Sequence, residues 1–538
     1  MQKLSDKTEQ KASRLAGSAT MEALKKEQKI KIPEGQKKKL LDELREKLSP
    51  DRVRDEPHVT TYYRGPAHGT PRRVLSYVPP DMVVYPESRE DIQEIFKIAS
   101  RYKVPLTPVG IQSTMVGGTP LNGGIVMDFM GMNKIHKIDT EQNYVVVEPG
   151  TTIQQVMDII RPKGFAIAKG TYPSNFPIIS TLVAWFAQHN FGNRMLDQAI
   201  GLEVCMPDGS ILYTGSMAYG ETEHWTEVPH SAARLTNLFS PHQASIGIIT
   251  KAAIRMWPML DKTALPVVGF NDFASAFRWT HEMAKSNMVD QTMIWCWVHV
   301  GGIEFQKSAR YLDYVEAKMK YKQEEVPEDL GLFNCYAFAG MRGYEEEIAG
   351  AVKVAERMAK KHGGTYLSEE WMAEHLPNTW QYFSASHKDF RYDLSDSMGL
   401  SSEGGGFSIQ YMGDREEIIR MYEGSNQWFR KMGWNNWRYY TRMFNGGQTP
   451  WLRYMPNSNS ANKEEIKETV RIAGALNAYI LENYEVNVQN SMFYFNDPDN
   501  PEEVRDRAKP IRRLMRAVQK EFDPESILSP AIKKYTLV

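Results

Sequence analysis

Short apolar runs alternate with a helical pattern over residues 80–107. Residues 82–85 form an apolar run with the length of a buried strand. Ser88 followed by Asp91 is typical of a capping box, and apolar residues then recur at helical spacing: Ile92, Ile95, Phe96, Ala99 and Tyr102. Residues 104–107 are a second strand candidate. The pattern predicts a strand–helix–strand unit.

β-type runs separated by turns continue as far as residue 255. Such runs lie at 125–127, 135–138 and 144–147, and a helical pattern at 151–160 ends before Pro162 and Gly164. Residues 202–206 return through a Pro-Asp-Gly-Ser turn to residues 211–213, which predicts a hairpin. We therefore predict an α+β domain at residues 71–260.

The next region, residues 261–495, has a longer pattern and more aromatic side chains. Helical patterns lie near 272–286, 308–320, 344–361 and 461–482, and a strand-like run lies at 293–300. These features predict a second, cap domain built on a mixed or antiparallel sheet covered by helices. A C-terminal segment, 496–538, follows it and contains an amphipathic helical pattern at 502–521.

The N-terminal residues 1–70 are basic and weakly patterned. Residues 1–48 hold 13 Lys or Arg against 8 Asp or Glu, and their helical apolar spacing is confined to Leu40, Leu41, Leu44 and Leu48. We expect an arm that packs on a neighbouring or partner protein and matters for association rather than chemistry. A solvated tail and a basic helix on a membrane surface are the alternatives.

Composition excludes several classes of protein. The 538 residues carry 65 Lys or Arg and 66 Asp or Glu, a net charge of −1, which argues against a nucleic-acid binder. The three cysteines lack the spacing of a zinc or iron–sulfur site, so we expect no metal and a reducing compartment. No apolar run has the length of a membrane span, and no signal-like segment opens the chain. We expect a soluble, cytoplasmic protein.

The first candidate for chemistry is the loop after the second predicted strand. It reads Pro108-Val109-Gly110-Ile111-Gln112-Ser113-Thr114-Met115-Val116-Gly117-Gly118. Small residues let successive backbone N–H groups point at one anion, such as a pyrophosphate. The loop matches neither the Rossmann nor the P-loop fingerprint, and taken alone a glycine-rich connection is more often structural.

An ordered series of motifs follows this loop. It comprises Met132-Asn133-Lys134-Ile135, Val147-Glu148-Pro149-Gly150-Thr151, Phe191-Gly192, Gly201-Leu202-Glu203-Val204 and Gly247-Ile248-Ile249-Thr250. The series resembles the FAD-binding domain of the vanillyl-alcohol oxidase / p-cresol methylhydroxylase (PCMH-type) flavoprotein family, nearest its 4-cresol dehydrogenase and vanillyl-alcohol oxidase branch. The terminal motif around Asp523-Pro524 and Ile527-Leu528-Ser529-Pro530 resembles the segment that returns to the flavin domain in that family.

The resemblance implies an α+β fold with a PCMH-type FAD-binding domain, a cap domain that binds substrate, and FAD as cofactor. The residues that it places beside FAD are Val109, Gly110, Ile111, Gln112, Ser113, Thr114, Met115, Pro173, Ser174, Ile179, Ser180, Thr181, Phe191, Gly192 and Ile249. Two departures stand out: Val109, Ile111 and Gln112 replace the usual loop residues, and a Gly pair is missing at Ser180-Thr181. Because no His follows the loop glycine, we expect noncovalent FAD; covalent attachment through a His or Tyr of the cap domain is the alternative.

The substrate is expected to differ from that of the phenol-oxidising relatives. Those proteins hold a phenolate with two Tyr and one Arg and place an Asp near the flavin. By approximate alignment these places fall on Thr114, the Val488-Gln489 pair and Ser174, so none is retained. We therefore expect simple 4-alkylphenols to be poor substrates.

The cap domain offers other polar candidates. They are Arg438, Tyr439, Arg442 and Arg453, among Trp434, Trp437 and Trp451, with His387 as a candidate general base. Arg and Tyr among aromatic side chains suit a carboxylate or oxyanion substrate. The alternative is that the arginines lie at the rim of a core with their charged ends in solvent, and that His387 lies in a solvated loop.

We predict an FAD-dependent oxidoreductase that takes a hydride from an alcohol, a hydroxy acid or an activated benzylic carbon. One alternative is a dehydrogenase subunit that passes electrons to a cytochrome or iron–sulfur protein. Another is a flavin-binding scaffold without catalysis, supported by the missing phenolate residues. The expected partners are a small-molecule substrate, an electron-acceptor protein in the first alternative, and further copies of the chain in a homo-oligomer.

Overall fold

The described part of the chain falls into two compact units. The computed structural model describes residues 32–63, 79–111, 123–168, 174–183, 198–220, 224–226, 234–239, 246–306, 308–320, 325–388, 409–434, 437–456, 462–488, 506 and 509–529. The first unit contains the described residues up to 257 together with residues 506 and 509–529, and the cap unit contains those of 258–488.

The first unit contains two sheets. Its elements up to residue 258 are α1 (Glu34–Leu48), β1 (Val53–Arg54), α2 (Pro57–Tyr62), β2 (Met82–Val84), α3 (Arg89–Tyr102), β3 (Leu106–Val109), β4 (Ile125–Asp128), β5 (Ile135–Asp139), β6 (Tyr144–Val147), α4 (Ile153–Ile160), β7 (Phe165–Ile167), β8 (Ala199–Cys205), β9 (Ile211–Tyr213), α5 (Thr236–Phe239) and β10 (Ile248–Pro258). One sheet has the order β1-β2-β4-β3, and the other has the order β5-β6-β10-β8-β9 with β7 beside β10.

The predicted strand–helix–strand unit is confirmed as β2, α3 and β3. β4 lies between the two strands and is parallel to both. The Ser88 hydroxyl accepts the Asp91 N–H at 3.1 Å, so the capping box forms as the spacing predicts. The predicted hairpin is confirmed by the antiparallel pairing of β8 with β9. Because parallel strands end at one edge, this sheet brings the ends of β3 and β4 together.

The expectation that residues 1–70 form an arm outside the core is wrong for the described residues of this stretch. Leu40 and Leu44 of α1 have no exposed surface, and they share one apolar core with Ile92, Ile95 and Phe96 of α3. The Gln36 side chain also donates to the Tyr102 carbonyl at 2.8 Å. The narrow leucine stripe is sufficient for burial because the apolar face of α3 meets it.

The cap unit is built on a nine-stranded sheet. Its elements are β11 (Lys262–Ala264), β12 (Val267–Phe270), α6 (Phe273–Lys285), β13 (Gln291–Cys296), α7 (Trp297–Phe305), α8 (Tyr311–Lys320), β14 (Cys335–Gly343), α9 (Glu345–Lys361), β15 (Thr365–Leu367), α10 (Glu369–His375), α11 (Pro377–Phe383), β16 (Ile409–Gly413), α12 (Arg415–Met432), β17 (Trp437–Phe444), β18 (Thr449–Pro456), α13 (Lys463–Asn483) and β19 (Val486–Val488). The strand order is β15-β12-β14-β13-β17-β18-β16-β19, with β11 beside β14.

The predicted strand at 293–300 is correct for residues 293–296 and wrong for residues 297–300. β13 ends at Cys296, and α7 begins at Trp297. A continuous apolar run has no periodicity that separates a buried strand from a buried helix. In the structure α7 packs closely on α8, and a Cβ on Gly301 would lie only 2.8 Å from the ring of Tyr314.

The last element, α14 (Lys509–Phe522), leads back to the first unit. The Asp523 carboxylate accepts the N–H groups of Ile527 and Leu528, each at 3.0 Å. Leu106 then pairs with this segment, donating to the Ile527 carbonyl at 2.8 Å and accepting from Ser529 at 2.7 Å. Among the elements described above, no helix combines the length and hydropathy needed to cross a membrane.

Candidate active site

β3 and β4 end side by side at one edge of the first sheet. Their last residues, Val109 and Asp128, are paired there. Val109 is buried against Val83, Val126 and Tyr63. Gly110 and Ile111 follow directly and are half-buried. The remaining loop residues that the sequence placed beside FAD, Gln112, Ser113, Thr114 and Met115, lie outside the described residues.

The structure brings two parts of the predicted cofactor set together at Gly110. A Cβ on Gly110 would lie 3.1 Å from the Ser180 Oγ and 3.2 Å from its Cβ, so the chain passes Ser180 more closely than most side chains pack. The Ser180 and Thr181 hydroxyls donate to the Pro177 carbonyl at 3.2 and 2.7 Å. A side-chain-free backbone beside a hydroxyl-bearing turn fits a pyrophosphate or sugar, which needs close approach of the backbone and hydrogen-bonding groups.

The other predicted cofactor residues are spread over the first unit. Ser174 is buried and its carbonyl accepts the Gln154 N–H at 2.8 Å. Ile179 is buried in the turn that carries Ser180 and Thr181. Ile249 is buried in β10 opposite Val204, in the second sheet. Pro173, Phe191 and Gly192 lie outside the described residues.

Sequence reasoning missed a buried pair at the same edge, Tyr63 and Asp128. The Tyr63 hydroxyl donates to the Asp128 carboxylate at 2.5 Å, and the Met130 N–H donates to its other oxygen at 2.8 Å. Burial raises the pKa of Asp128, and burial beside this carboxylate raises the pKa of Tyr63. A carboxylate at the end of an apolar strand was the available signal. The pair connects the segment after α2 to the strand end that precedes the loop region.

The cap unit places three predicted arginines on one face of its sheet. Strand alternation puts Arg438 and Arg442 of β17 on the same side, and Arg453 of β18 is the partner of Tyr440. We call this side the arginine face; its members are Arg438, Tyr440, Arg442, Trp451 and Arg453, with Met293 and Trp295 of the neighbouring β13. Arg438 and Arg442 are only 6% and 2% exposed.

Direct contacts connect these side chains to one another. Arg453 Nη1 donates to the Tyr440 hydroxyl at 2.5 Å, and its guanidinium lies 5.3 Å from the centre of the Tyr440 ring. Arg442 Nη2 is 4.0 Å from the Met293 sulfur. Tyr440 also packs on Trp451 at 5.3 Å. The face therefore combines fixed positive charge, a phenol hydroxyl and aromatic walls.

Tyr439, predicted as a site residue, lies on the opposite side of β17 from the arginines. It has no exposed surface and packs on Phe273 and Tyr422, under α6 and α12. Burial raises the pKa of Tyr439 well above its ordinary value, so its hydroxyl stays protonated. Neighbours in a strand point to opposite faces, so Tyr440 carries the hydroxyl of the arginine face. His387 lies in the helical turn Ser384–Lys388, and its side chain lies outside the described residues.

Sequence reasoning also missed His299, in the first turn of α7. Its ring is 6% exposed and lies 5.2 Å from the Trp295 ring and 5.8 Å from the Tyr440 ring, both on the arginine face. Its signal in the sequence is one polar residue within the apolar run 293–300, for which the pattern predicts a strand. The fold adds a titratable side chain to the three arginines.

Known proteins with similar sequences match this chain over part of its length, and the matched family lies within the first unit. Residues 80–215 match the family described as FAD binding domain. "Probable D-lactate dehydrogenase, mitochondrial" of Danio rerio is 29% identical over 224 residues, which are 41% of this chain and 44% of that protein. The flavoprotein subunit of 4-cresol dehydrogenase (hydroxylating) from Pseudomonas putida is 22% identical over 55% of this chain and 59% of that subunit. The chain spans about half the length of these curated relatives.

A solved structure matches nearly the whole chain. 4-Ethylphenol oxidase from Gulosibacter chungangensis aligns with a TM-score of 0.75 at 16% identity, covering 95% of this chain and 99% of that chain. Residues 80–215 of the first unit are therefore an FAD-binding domain. The fold of the chain is that of the PCMH-type flavoproteins, which confirms the resemblance read from the motif series.

Proposed function

We propose that this chain is an FAD-dependent oxidoreductase that oxidises a small substrate carrying a carboxylate or another oxyanion. The arginine face is the observation that carries the substrate class. Three guanidinium groups on adjacent strands, two of them deeply buried, form a binding surface for a negative group. The FAD-binding domain supports the redox chemistry.

In the first unit, the proposed cofactor residues are those around the close approach of Gly110 to Ser180. Gly110 and Ile111 would present backbone N–H groups, while Ser180 and Thr181 supply hydroxyls from a turn fixed by Pro177. Val109, Ser174, Ile179 and Ile249 remain proposed neighbours of FAD, as do Gln112, Ser113, Thr114, Met115, Pro173, Phe191 and Gly192. Bound FAD supplies the hydride acceptor.

In the cap unit, Arg438, Arg442 and Arg453 would hold the negative group of the substrate. A hydrogen bond to a charged group is worth about 1.5–3 kcal/mol, so each guanidinium contributes measurably to binding. Arg453 also holds the Tyr440 hydroxyl at 2.5 Å and thereby fixes its position on this face. Tyr440 replaces Tyr439 as the proposed site tyrosine.

Hydroxy acids fit this face better than 4-alkylphenols do. A phenol brings no carboxylate, and at Thr114, Ser174 and Gln489 the chain lacks the residues aligned with those that bind phenolate in the resembling branch. The D-lactate dehydrogenase relative is named for a substrate with a carboxylate beside its hydroxyl group. We therefore place hydroxy acids first among the candidate substrates.

The test is anaerobic stopped-flow reduction of the bound flavin by 4-cresol, vanillyl alcohol and a panel of hydroxy acids. We expect at least one hydroxy acid to bleach the flavin much faster than 4-cresol. Arg442→Gln should raise the dissociation constant of that acid about 10- to 100-fold, with an unchanged flavin content. Arg420→Gln, an exposed change on α12, is the matched control. Rapid bleaching by 4-cresol that Arg442→Gln leaves unaffected contradicts the proposal.

A second candidate function is a dehydrogenase subunit with a protein electron acceptor. The name of the Pseudomonas putida relative, a flavoprotein subunit, favours this version. Reduced enzyme that is reoxidised by cytochrome c and forms no hydrogen peroxide in air would support it. We also propose a homo-oligomer, to be tested by light scattering, and a cytoplasmic location, for which three buried free thiols are the support.

A further inference from the structure

His299 is held in one orientation beside the arginine face. Its Nδ1 lies 3.2 Å from the carbonyl oxygen of Tyr439, and the Cys296 sulfur lies 3.8 Å from the same nitrogen. A carbonyl oxygen only accepts hydrogen bonds, so Nδ1 carries the proton and donates it. The other nitrogen, Nε2, then keeps its lone pair. The fold thus selects the tautomer that can accept a proton through Nε2.

The surroundings of His299 keep the ring uncharged. Among the described residues, the titratable and charged groups that face it are the Cys296 thiol at the end of β13, Arg438 and Tyr440 of β17, Arg453 of β18, and Tyr382 of α11 across the Trp295 ring. Burial, and next the positive charges of Arg438 and Arg453, hold the pKa of His299 well below its ordinary value. The ring is therefore neutral at physiological pH and becomes charged only as the pH falls through this lowered pKa.

We propose that His299 is the catalytic base of the cap unit and removes the hydroxyl proton of a 2-hydroxy acid whose carboxylate the arginines hold. This proposal rests on the proposed function. The substrate class follows from proximity: the His299 ring lies 5.8 Å from Tyr440, and the Arg453 guanidinium lies 5.3 Å from the same ring. A base and a carboxylate-binding cation that both contact one aromatic ring favour a substrate whose hydroxyl and carboxylate are close together.

Two bonds of the substrate break in this step, and a C=O bond forms. The O–H bond breaks and its proton goes to His299 Nε2, which leaves an imidazolium. The C–H bond on the same carbon breaks, and its electron pair leaves with the hydrogen as a hydride, which bound FAD would accept as the two-electron oxidant. A C=O bond forms, and the product is a 2-oxo acid. The imidazolium later releases its proton to water, and the neighbouring arginines favour this release.

Substrate binding should tune this base. A carboxylate bound by Arg438 and Arg453 offsets the charges that lower the pKa of His299, so binding raises that pKa toward its ordinary value. A higher pKa makes the imidazole a stronger base once substrate is bound. The rate of flavin reduction should fall at acid pH as His299 becomes protonated. At saturating substrate this fall should therefore occur at a higher pH than it does at low substrate concentration.

The first test does not depend on activity. Holoenzyme labelled with ¹⁵N-histidine is compared by NMR with His299→Asn to assign the His299 ring signals. We expect the neutral Nδ1–H form, and we expect oxalate, which has carboxylates but no oxidisable C–H bond, to raise the pH at which the ring becomes charged. A neutral ring protonated at Nε2, or a titration that saturating oxalate leaves unchanged, overturns the proposal.

The second test is stopped-flow reduction by the best hydroxy acid of the panel. In His299→Asn, the amide can still donate to the Tyr439 carbonyl but no base remains. We expect its limiting reduction rate to fall about 100- to 10,000-fold and to lose the acid-side limb, with unchanged FAD content and oxalate affinity. The matched control is His281→Gln, because His281 is a half-buried histidine elsewhere in the cap unit, bonded through Nε2 to the Gly447 carbonyl at 3.0 Å. It should behave as the unaltered protein.

The outcomes separate the two proposals. If no hydroxy acid reduces the flavin of the unaltered protein, the proposed function fails and the base assignment fails with it. If the unaltered protein is reduced and His299→Asn is reduced equally fast with the same pH profile, only the base assignment fails. Should His299→Asn not fold, His299→Gln, which places an amide near Nε2, is judged by the same rate and pH criteria.

Discussion

At the scale of single residues, close approach rather than residue type distinguishes the cofactor region. Gly110 lies in a loop with several glycines, yet its position against Ser180 gives it a specific role. A Cβ there would be 3.1 Å from the Ser180 hydroxyl oxygen, which already donates to Pro177. An added methyl group must therefore displace either this turn or the loop that starts at Gly110.

We predict that Gly110→Ala weakens FAD binding about tenfold, because overpacking of about 1–3 kcal/mol falls on the cofactor region. The measurement is titration of apoprotein with FAD. Gly220→Ala, where a Cβ meets nothing within 4 Å, is the control and should bind FAD normally. The double variant Gly110→Ala/Ser180→Gly should regain affinity, since it restores the space. Equal FAD affinity in Gly110→Ala and the unaltered protein would show that the loop is not a cofactor site.

At the scale of elements, α1 has a different role from the one that its charge suggested. Its many lysines face solvent while Leu40, Leu44 and Leu48 are buried beside α3. The Arg45 guanidinium also pairs with Asp55 at 2.9 Å and so connects α1 to the chain after β1. The sequence of a helix with a narrow apolar stripe does not show whether the helix belongs to a core or to an exposed arm. The answer depends on whether another apolar surface packs against the stripe, as α3 does here.

We predict that Leu44→Ala lowers the free energy of unfolding of the first unit by about 2–5 kcal/mol, through lost burial and an unfilled cavity. Lys38→Ala, on the exposed side of the same helix, should change it by less than about 0.5 kcal/mol. Urea unfolding followed by release of FAD fluorescence gives both values. If the two variants unfold at the same urea concentration, α1 is the dispensable arm that its sequence suggested.

At the scale of the whole molecule, the chain separates two tasks between its units. The described C-terminal residues 509–529 belong with the first unit, so the cap unit is inserted between two parts of it. The FAD-binding domain lies in the first unit, and the arginine face and His299 lie in the cap unit. Under the proposed function, a different substrate would require changes in the cap sheet and not in the FAD-binding domain.

We predict that acid or heat releases all of the FAD from the purified protein. The reason is that the sequence has no His at the loop position used for attachment in the tethered branch of the resembling family. The denatured polypeptide should have a mass of 61.6 kDa and no flavin fluorescence on a denaturing gel. A polypeptide heavier by the mass of one FAD would contradict this, and digestion would then identify the attached residue.

The local pattern determined the elements of the first unit and the nature of its cofactor. Capping boxes, short strands and turn residues act within a few positions of one another, so β2, α3, β3 and the β8–β9 hairpin could be predicted directly. The FAD-binding motifs are likewise local in sequence. In the cap, Arg438, Arg442 and Arg453 were predicted because arginines among aromatic residues are conspicuous.

Tertiary structure alone decided which of these residues share a face. Strand alternation places Tyr439 and Tyr440 on opposite faces of the sheet. Tyr439 faces the core because the helices α6 and α12 cover its side of β17. His299 joins the arginine face only because the chain turns from β13 into α7 at Trp297. The burial, the tautomer and the lowered pKa of His299 come from contacts with residues as far as 154 positions away in the sequence, and no local pattern encodes such contacts.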